Sequence, residues 1–322
     1  VDAYAPRDPA TLALVVLTLA ALLGAGLALA RAPASRAAAA AAWTLLVAGT
    51  AVLERLTAAE PAGVRMLALI AGGLLSMKAI VSVAERARGG RPLPWPRWLA
   101  FAVGWPGMRP RLFEPARARP LPGSRALAGR GALRLATGAL LVAAAAGVAA
   151  ATGSRLLATL LLLPGLSLAL HFGLLDLLAA AWRRRGVPCE PLFRAPLRSR
   201  TLAEFWGRRW NAAFSEMSAL AVHRPLARAL GGRPALLATF LFSGLLHEMA
   251  ISLPVRAGFG LPLAYFALQG VLVLLERPPG GPPPRAGRGW TAVRVLAPLP
   301  LLFHRPFLEG VAWPLLGLPP AA

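Results

Sequence analysis

Apolar residues run along this chain in blocks of about twenty, separated by shorter polar stretches rich in arginine. A helix rises about 1.5 Å per residue, so roughly 20 apolar residues cross a hydrocarbon core of ~30 Å. The pattern predicts eight such spans: Thr11 to Ala30, Ala37 to Val52, Met66 to Val83, Leu133 to Ala151, Leu156 to about Trp182, Pro234 to Leu253, Leu261 to Leu275 and Trp290 to Leu316. The fifth is long enough to tilt or protrude. Pro298, Pro300, Pro306 and Pro314 should kink or break the eighth, because proline removes a helix donor and clashes with the preceding turn. The expected fold is all-α, a polytopic integral membrane protein with about eight transmembrane helices. Composition agrees: charged residues make up 15% of the chain, against about 25% in soluble domains.

The net charge of +22 changes the picture less than its size suggests. Lys78 is the only lysine, and Ala, Gly, Pro and Arg dominate throughout, the mark of a GC-rich genome. The arginines fall between the apolar runs, so they set topology and attract anionic headgroups or anionic substrates, and no nucleic-acid partner is expected. If the connections 31–36, 84–134, 183–233 and 277–289 are cytoplasmic, they hold 27 of the 35 basic residues, and eight spans then leave both termini on the other side. Val1 to Ala10 lacks the basic start of a secretory signal, so the first run is expected to remain as a membrane helix. The expected location is a bacterial inner (plasma) membrane. Two connections are too long for plain loops. The stretch 91–120 mixes Trp95, Trp98, Phe101, Trp105 and Phe113 with prolines and arginines, which suits an interfacial segment in the headgroup layer. The stretch 183–233 holds the densest polar chemistry. No internal repeat of the transporter kind is visible.

Within that second stretch, Thr201 followed three residues later by Glu204 is a capping box that should start a helix. On it Trp206, Trp210 and Phe214 would form an aromatic stripe, with Glu204, Arg208, Asn211 and Ser215 on another face. Periodicity alone fits an amphipathic helix lying on the membrane without chemistry as well as one that shows Asn211 to a substrate. In the sixth span Thr239, Ser243 and His247 share a face. His247 would lie about 20 Å from the cytoplasmic end, near the midplane. An ionisable group there either faces a cavity or holds the bundle by a hydrogen bond between helices. His171, five residues before Asp176, suits a structural pair or part of a substrate channel, and His223 and His304, near helix ends beside Arg and Pro, suit solvated roles. The four histidines have no zinc-ligand spacing. Cys189 stands alone, with no identifiable activating partner. The stretch Pro278–Pro284 reads as a turn or linker.

The string Pro191-Leu-Phe-Arg-Ala-Pro-Leu-Arg-Ser-Arg-Thr-Leu-Ala-Glu-Phe-Trp-Gly-Arg-Arg-Trp-Asn211, with His247 in Phe-Ser-Gly-Leu-Leu-His-Glu 36 residues on, resembles the membrane-bound O-acyltransferase superfamily. The nearest branch is the wax-synthase-like group, which Trp105-Pro-Gly-Met-Arg-Pro-Arg-Leu-Phe113 also resembles. The firm likeness runs from about Trp105 to Leu275; the first three spans match only by hydropathy. The resemblance implies a single transmembrane acyltransferase domain over 1–322, with helices around a chamber. It implies His247 as the catalytic histidine and Asn211 as the second polar position. It implies acyl transfer from acyl-CoA, a co-substrate with no other cofactor or metal, to a hydroxyl, most simply that of a long-chain alcohol. A sugar, polyketide or cell-envelope hydroxyl is an alternative acceptor, and a non-catalytic lipid transporter is the alternative of another class. Under the enzymatic reading a neutral His247 takes the alcohol proton, and Asn211 holds the thioester or its oxyanion. Ser243 or Glu248 orients the imidazole, Arg208 and Arg209 meet the CoA phosphates, and Trp206 and Trp210 line the substrate path.

Overall fold

A computed structural model of the protein describes residues 2–114, 119–276 and 287–318. The first apolar run becomes α1, Pro9–Arg31, started by the Asp8 carboxylate, which accepts from the Ala10 and Thr11 N–H groups, and by proline at the first helical position. Ser35 caps α2, Arg36–Leu56, in the same way. Then follow α3, Ala62–Arg86, and a short α4, Trp95–Gly104. Further on come α5, Ser124–Thr152, and α6, Arg155–Arg184. Two short helices, α7 (Ala212–Ser218) and α8 (Arg224–Leu230), lead into α9, Gly232–Val255. The chain ends with α10, Leu261–Glu276, α11, Arg288–Leu296, and a string of short turns. Among the described residues there is no strand.

Six of these helices, α1, α2, α3, α5, α6 and α9, are long and apolar enough to cross a bilayer. They expose leucine and valine freely: Leu17, Val47, Leu133, Leu140 and Leu156 are each at least 64% accessible. In water such surfaces would aggregate; in a membrane they face acyl chains. The protein is thus a multi-pass integral membrane protein. The seventh expected span, α10, has 16 residues, about 24 Å of helix. The eighth is no continuous helix. It breaks after α11 at Pro298, resumes over Leu299–Leu302 and Arg305–Phe307, and closes in π and 3-10 turns that reach Leu316. The stretch Pro278–Pro284, expected to be a linker, lies outside the described residues.

Helix α3 is the hub of the N-terminal half. Leu22 of α1 and Leu53 of α2 bury against Leu69 and Ala68 of α3, and a Cβ at Gly72 would sit 2.3 Å from Leu53. The α5–α6 pair is a separate hairpin closed by glycine: a Cβ at Gly138 would lie 2.5 Å from the Ala169 nitrogen and 2.7 Å from the Gly165 oxygen. In lipid, where apolar burial gives helices no net drive to associate, such close backbone contact supplies the packing. Helix α6 carries Pro164 and, four residues on, a π-helical stretch Leu168–Leu174 containing His171. Asp176 pairs with Arg134 of α5, not with His171 as the sequence suggested, because Arg134 supplies the charge a buried carboxylate needs. His171 stacks on Phe193 at 4.6 Å instead.

The aromatics of 91–120 also depart from expectation. Trp98, Phe101, Trp105 and Phe113 are at most 2% accessible and form a core with Met108, Cys189 and Met217; only Trp95 is exposed. They pack inward because α3 offers their polar edges partners. The Trp98 Nε1–H donates to Ser82 Oγ at 3.1 Å, and Lys78 binds the Trp105 carbonyl.

Candidate active site

The capping box at Thr201 forms: its Oγ accepts from the Glu204 N–H at 3.1 Å. The reciprocal carboxylate bond goes to the Arg200 N–H at 2.9 Å, one residue earlier than expected. The helix then fails to continue. After a π turn over Phe205–Arg209 the chain becomes extended at Trp210, and Asn211 adopts a left-handed backbone, φ 46°. A neighbouring segment causes the break. The Arg194 N–H donates to the Arg209 carbonyl and the Ala212 N–H to the Leu192 carbonyl, both at 2.8 Å, so 192–194 holds 209–212 open. No single aromatic stripe therefore joins Trp206, Trp210 and Phe214. A left-handed non-glycine residue carries strain, which asparagine tolerates best, and such strain gathers at functional positions.

The consequence is a presented amide. Asn211 caps α7, its Oδ1 accepting from the Phe214 N–H at 3.2 Å. With the oxygen committed, the Nδ2 hydrogens point the other way, and the side chain is half-buried. Ser215 Oγ donates to the Trp206 carbonyl at 2.8 Å, closing the turn from below.

Helix α9 carries His247 about 22 Å from its first residue. The His247 Nδ1 lies 2.7 Å from the Ser243 carbonyl oxygen. A carbonyl can only accept, so Nδ1 carries the proton and Nε2 presents a lone pair. The ring is half-buried and rests on Phe266 of α10, centroids 4.2 Å apart. Phe266 also meets Trp206 at 5.6 Å, and the Trp206 Nε1–H donates to the fully buried Gln269 at 3.1 Å. Trp206 and His247 are thus flanks of one aromatic wall. The helices of Asn211 and His247 meet through Phe214 and Phe242, stacked at 6.3 Å. Among the described residues no hydrogen bond joins Asn211 to His247 directly.

Other candidates are placed differently. Ser243 orients the imidazole by its backbone, not its hydroxyl. Glu248 does not hold the ring: its Oε1 accepts from the Gly260 and Leu263 N–H groups at 2.9 and 3.0 Å, capping α10. Arg209 is engaged by Glu204 at 2.7 Å and the Arg194 carbonyl at 3.1 Å, so it braces the loop, while Arg208 is exposed. The Arg200 N–H, and after it Arg209, hold the Glu204 carboxyl below its usual range. Trp210 belongs to a second aromatic group, 4.9 Å from Phe193 and 5.8 Å from His171. His304 is buried and satisfied rather than solvated, its Nδ1 accepting from Phe307 N–H and its Nε2 facing Ser252 Oγ at 3.2 Å. Cys189 is buried, and desolvation pushes its thiol up to about 12, so it is no thiolate nucleophile. Among the described residues no histidine, cysteine and carboxylate groups gather as metal ligands. A shallow groove opens beside Arg86, Arg91, Arg111 and Trp98, at the other end of α3 from the turn to α2; neither His247 nor Asn211 lines it. Sequence reasoning missed Phe266 and Gln269, whose apolar span gave no sign that they face His247 and Trp206.

Residues 189–268, which hold both Asn211 and His247, match the sequence profile of the Membrane bound O-acyl transferase family. Over 100 residues the chain is 37% identical to a "Probable long-chain-alcohol O-fatty-acyltransferase 2" of Arabidopsis thaliana, covering 28% of this chain and 29% of that protein. It is 32% identical over 100 residues to a "Long-chain-alcohol O-fatty-acyltransferase" of Simmondsia chinensis, covering 28% of each. A 70-residue match to a "Probable long-chain-alcohol O-fatty-acyltransferase 6" of Arabidopsis thaliana reaches 40% identity and covers 20% of each. The matches thus span less than a third of the length of these relatives.

Proposed function

We propose that this chain, whose residues 189–268 match the membrane-bound O-acyltransferase family and which resembles long-chain-alcohol acyltransferases there, is a wax-synthase-like member of that family that moves a fatty acyl group from acyl-CoA to a long-chain alcohol. The observation that carries the proposal is the imidazole of His247, fixed by the Ser243 carbonyl as the Nδ1–H tautomer with Nε2 left to accept a proton. The alcohol oxygen attacks the thioester carbonyl as its proton passes to Nε2. The carbonyl oxygen becomes an oxyanion, which the Asn211 Nδ2–H groups stabilise. The C–S bond then breaks, the CoA thiolate leaves and takes the proton back from the imidazolium. A thiol of pKa about 8.5 is a good leaving group, so no protein nucleophile is needed. The buried, protonated Cys189 fits that route.

Trp206 and Phe266 wall the histidine side of the path, and Trp210 its loop side. Exposed Arg208, among the arginines of 183–233, is the proposed CoA phosphate contact; Arg209 serves by bracing the loop. We treat 1–322 as one acyltransferase domain, since α2 and α3 pack on α9: Thr50 Oγ contacts Met249 Sδ at 3.2 Å, and Ile80 and Val83 bury with Phe242 and Leu246. The relatives compared are plant proteins, so the bacterial plasma membrane expected from composition gains no support from them; the proposal is confined to an integral membrane site. The test is acyl transfer by purified protein from labelled palmitoyl-CoA to a panel of alcohols, sugars and polyketide hydroxyls. Transfer to long-chain alcohols is expected; strict preference for a polar acceptor would replace the alcohol, and no transfer to any acceptor would remove the enzyme.

A further inference from the structure

Lys78 is 1% accessible, about two-thirds of the way along α3, the most buried of the six long apolar helices described, and the proposed chemistry does not use it. A side-chain nitrogen in such a place needs its hydrogens satisfied. Two go to the carbonyls of Trp105 and Gly107, and the group lies 3.9 Å from the centre of the Phe101 ring. Lys78 thus grips both ends of the Trp105-Pro-Gly turn. Only glycine fits at 107, because a Cβ there would lie 2.1 Å from the Trp105 Nε1. The end of the turn reaches in the other direction. The Arg109 guanidinium pairs with the Glu216 carboxylate at 2.9 Å. Burial pushes the Glu216 carboxyl up, and Arg109 pulls it back. Glu216 lies on α7, the seven-residue helix whose N-cap is Asn211. Glu216 and Cys189 are also the ionisable neighbours that face Lys78.

We propose that Lys78 and Glu216 are positioning residues for Asn211: the lysine anchors the 105–109 turn to α3, and the glutamate anchors the Asn211 helix to that turn. This rests on the reading of Asn211 as an oxyanion donor, because a tether matters to catalysis only if the tethered amide does. Every link is a hydrogen bond or ion pair between short elements that already share one buried core, so the links set position rather than create the packing; α7 is two turns long. Loss of any link lets the Asn211 amide shift relative to His247, which is held independently on α9. A misplacement of about 1 Å in such a group costs up to about 100-fold in rate.

The test is a double-mutant cycle in the full-length protein in detergent, with palmitoyl-CoA and a long-chain alcohol. The variants are Lys78→Met, Glu216→Ala and Glu216→Gln, each alone and with Asn211→Ala. Lys78→Met and Glu216→Ala should each lower kcat about tenfold or more with KM for palmitoyl-CoA within about twofold. Glu216→Gln, whose amide oxygen can still accept from the Arg109 guanidinium, should recover most of the loss. In the Asn211→Ala background the same changes should cost less than about twofold, because coupled residues do not add. Hydrogen exchange gives a readout free of activity: the 208–218 peptide should exchange faster in Lys78→Met and Glu216→Ala, while the α9 peptide is unchanged. Losses that multiply with an impaired Asn211→Ala would overturn the positioning role and leave the active-site reading standing. Asn211→Ala at full rate would overturn both. Unchanged exchange at 208–218 in both tether variants would overturn the tether whatever the enzyme does, and if Lys78→Met does not fold, the Glu216 pair decides.

Discussion

Glu248 follows His247 directly, and the two explanations for it predict different measurements. In the structure its Oε1 receives two backbone N–H groups at the start of α10, and its Oε2 is buried without a hydrogen-bond partner among the described residues. Hydrogen bonds to a charged group contribute about 1.5–3 kcal/mol each, so Glu248→Ala removes about 3–6 kcal/mol. Relief of the unpartnered oxygen offsets about 1–3 kcal/mol of that. The net cost is centred on about 2.5 kcal/mol of stability, within about 0–5 kcal/mol, and Glu248→Gln, which keeps a carbonyl acceptor, should cost about 1 kcal/mol. The assay is thermal denaturation of detergent-solubilised protein followed by size-exclusion fluorescence, alongside initial rates per folded molecule. A cap predicts a lowered midpoint, ordered wild type, Gln, Ala, with the folded fraction keeping its turnover. An Ala variant that melts like the wild type but loses kcat would show that the carboxylate acts on the imidazole, and the cap assignment would fall.

Three further outcomes follow from the same geometry. Cys189, buried with its thiol raised to about 12, should resist N-ethylmaleimide at pH 8 for hours in the folded protein and react at once in denaturant; rapid labelling of the native state with loss of activity would contradict its inert role. Gly138→Ala should lower stability by roughly 2–3 kcal/mol, since the new methyl meets backbone atoms of α6 rather than a flexible side chain; an unchanged melting midpoint would mean the α5–α6 seam is looser than described. Arg208→Gln should raise KM for palmitoyl-CoA about threefold to tenfold with little change in kcat, as expected for one charge-assisted phosphate contact; equal KM values would reduce Arg208 to a topology signal.

The spans were legible because a helix in lipid must be long and apolar: α1, α2, α3, α6 and α9 lie within a few residues of the expected runs, while α5 begins nine residues before its run, at Ser124. The break at Trp210 and Asn211 was not legible. Thr201, Glu204 and the four-residue recurrence of Trp206, Trp210 and Phe214 argue locally for one helix; residues 192–194 override them from outside the local sequence. The 91–120 aromatics misled for a related reason. Tryptophan beside arginine suits a headgroup layer and a buried turn equally, and what decides is Lys78 and Ser82 on a helix earlier in the chain. His247 stood out as an ionisable group deep in an apolar run, but its orienting partner is a backbone carbonyl, which no side-chain pattern announces.

The account turns on the free Nε2 of His247. The measurement that meets it most directly is the single-turnover rate of acyl transfer from labelled palmitoyl-CoA to a long-chain alcohol, wild type against His247→Ala, with folding checked by size-exclusion. General-base catalysis contributes about 10²–10⁴-fold, so a folded His247→Ala protein should be at least ~100-fold slower. A folded variant that transfers the acyl group at the wild-type rate would contradict the assignment of His247 as the base.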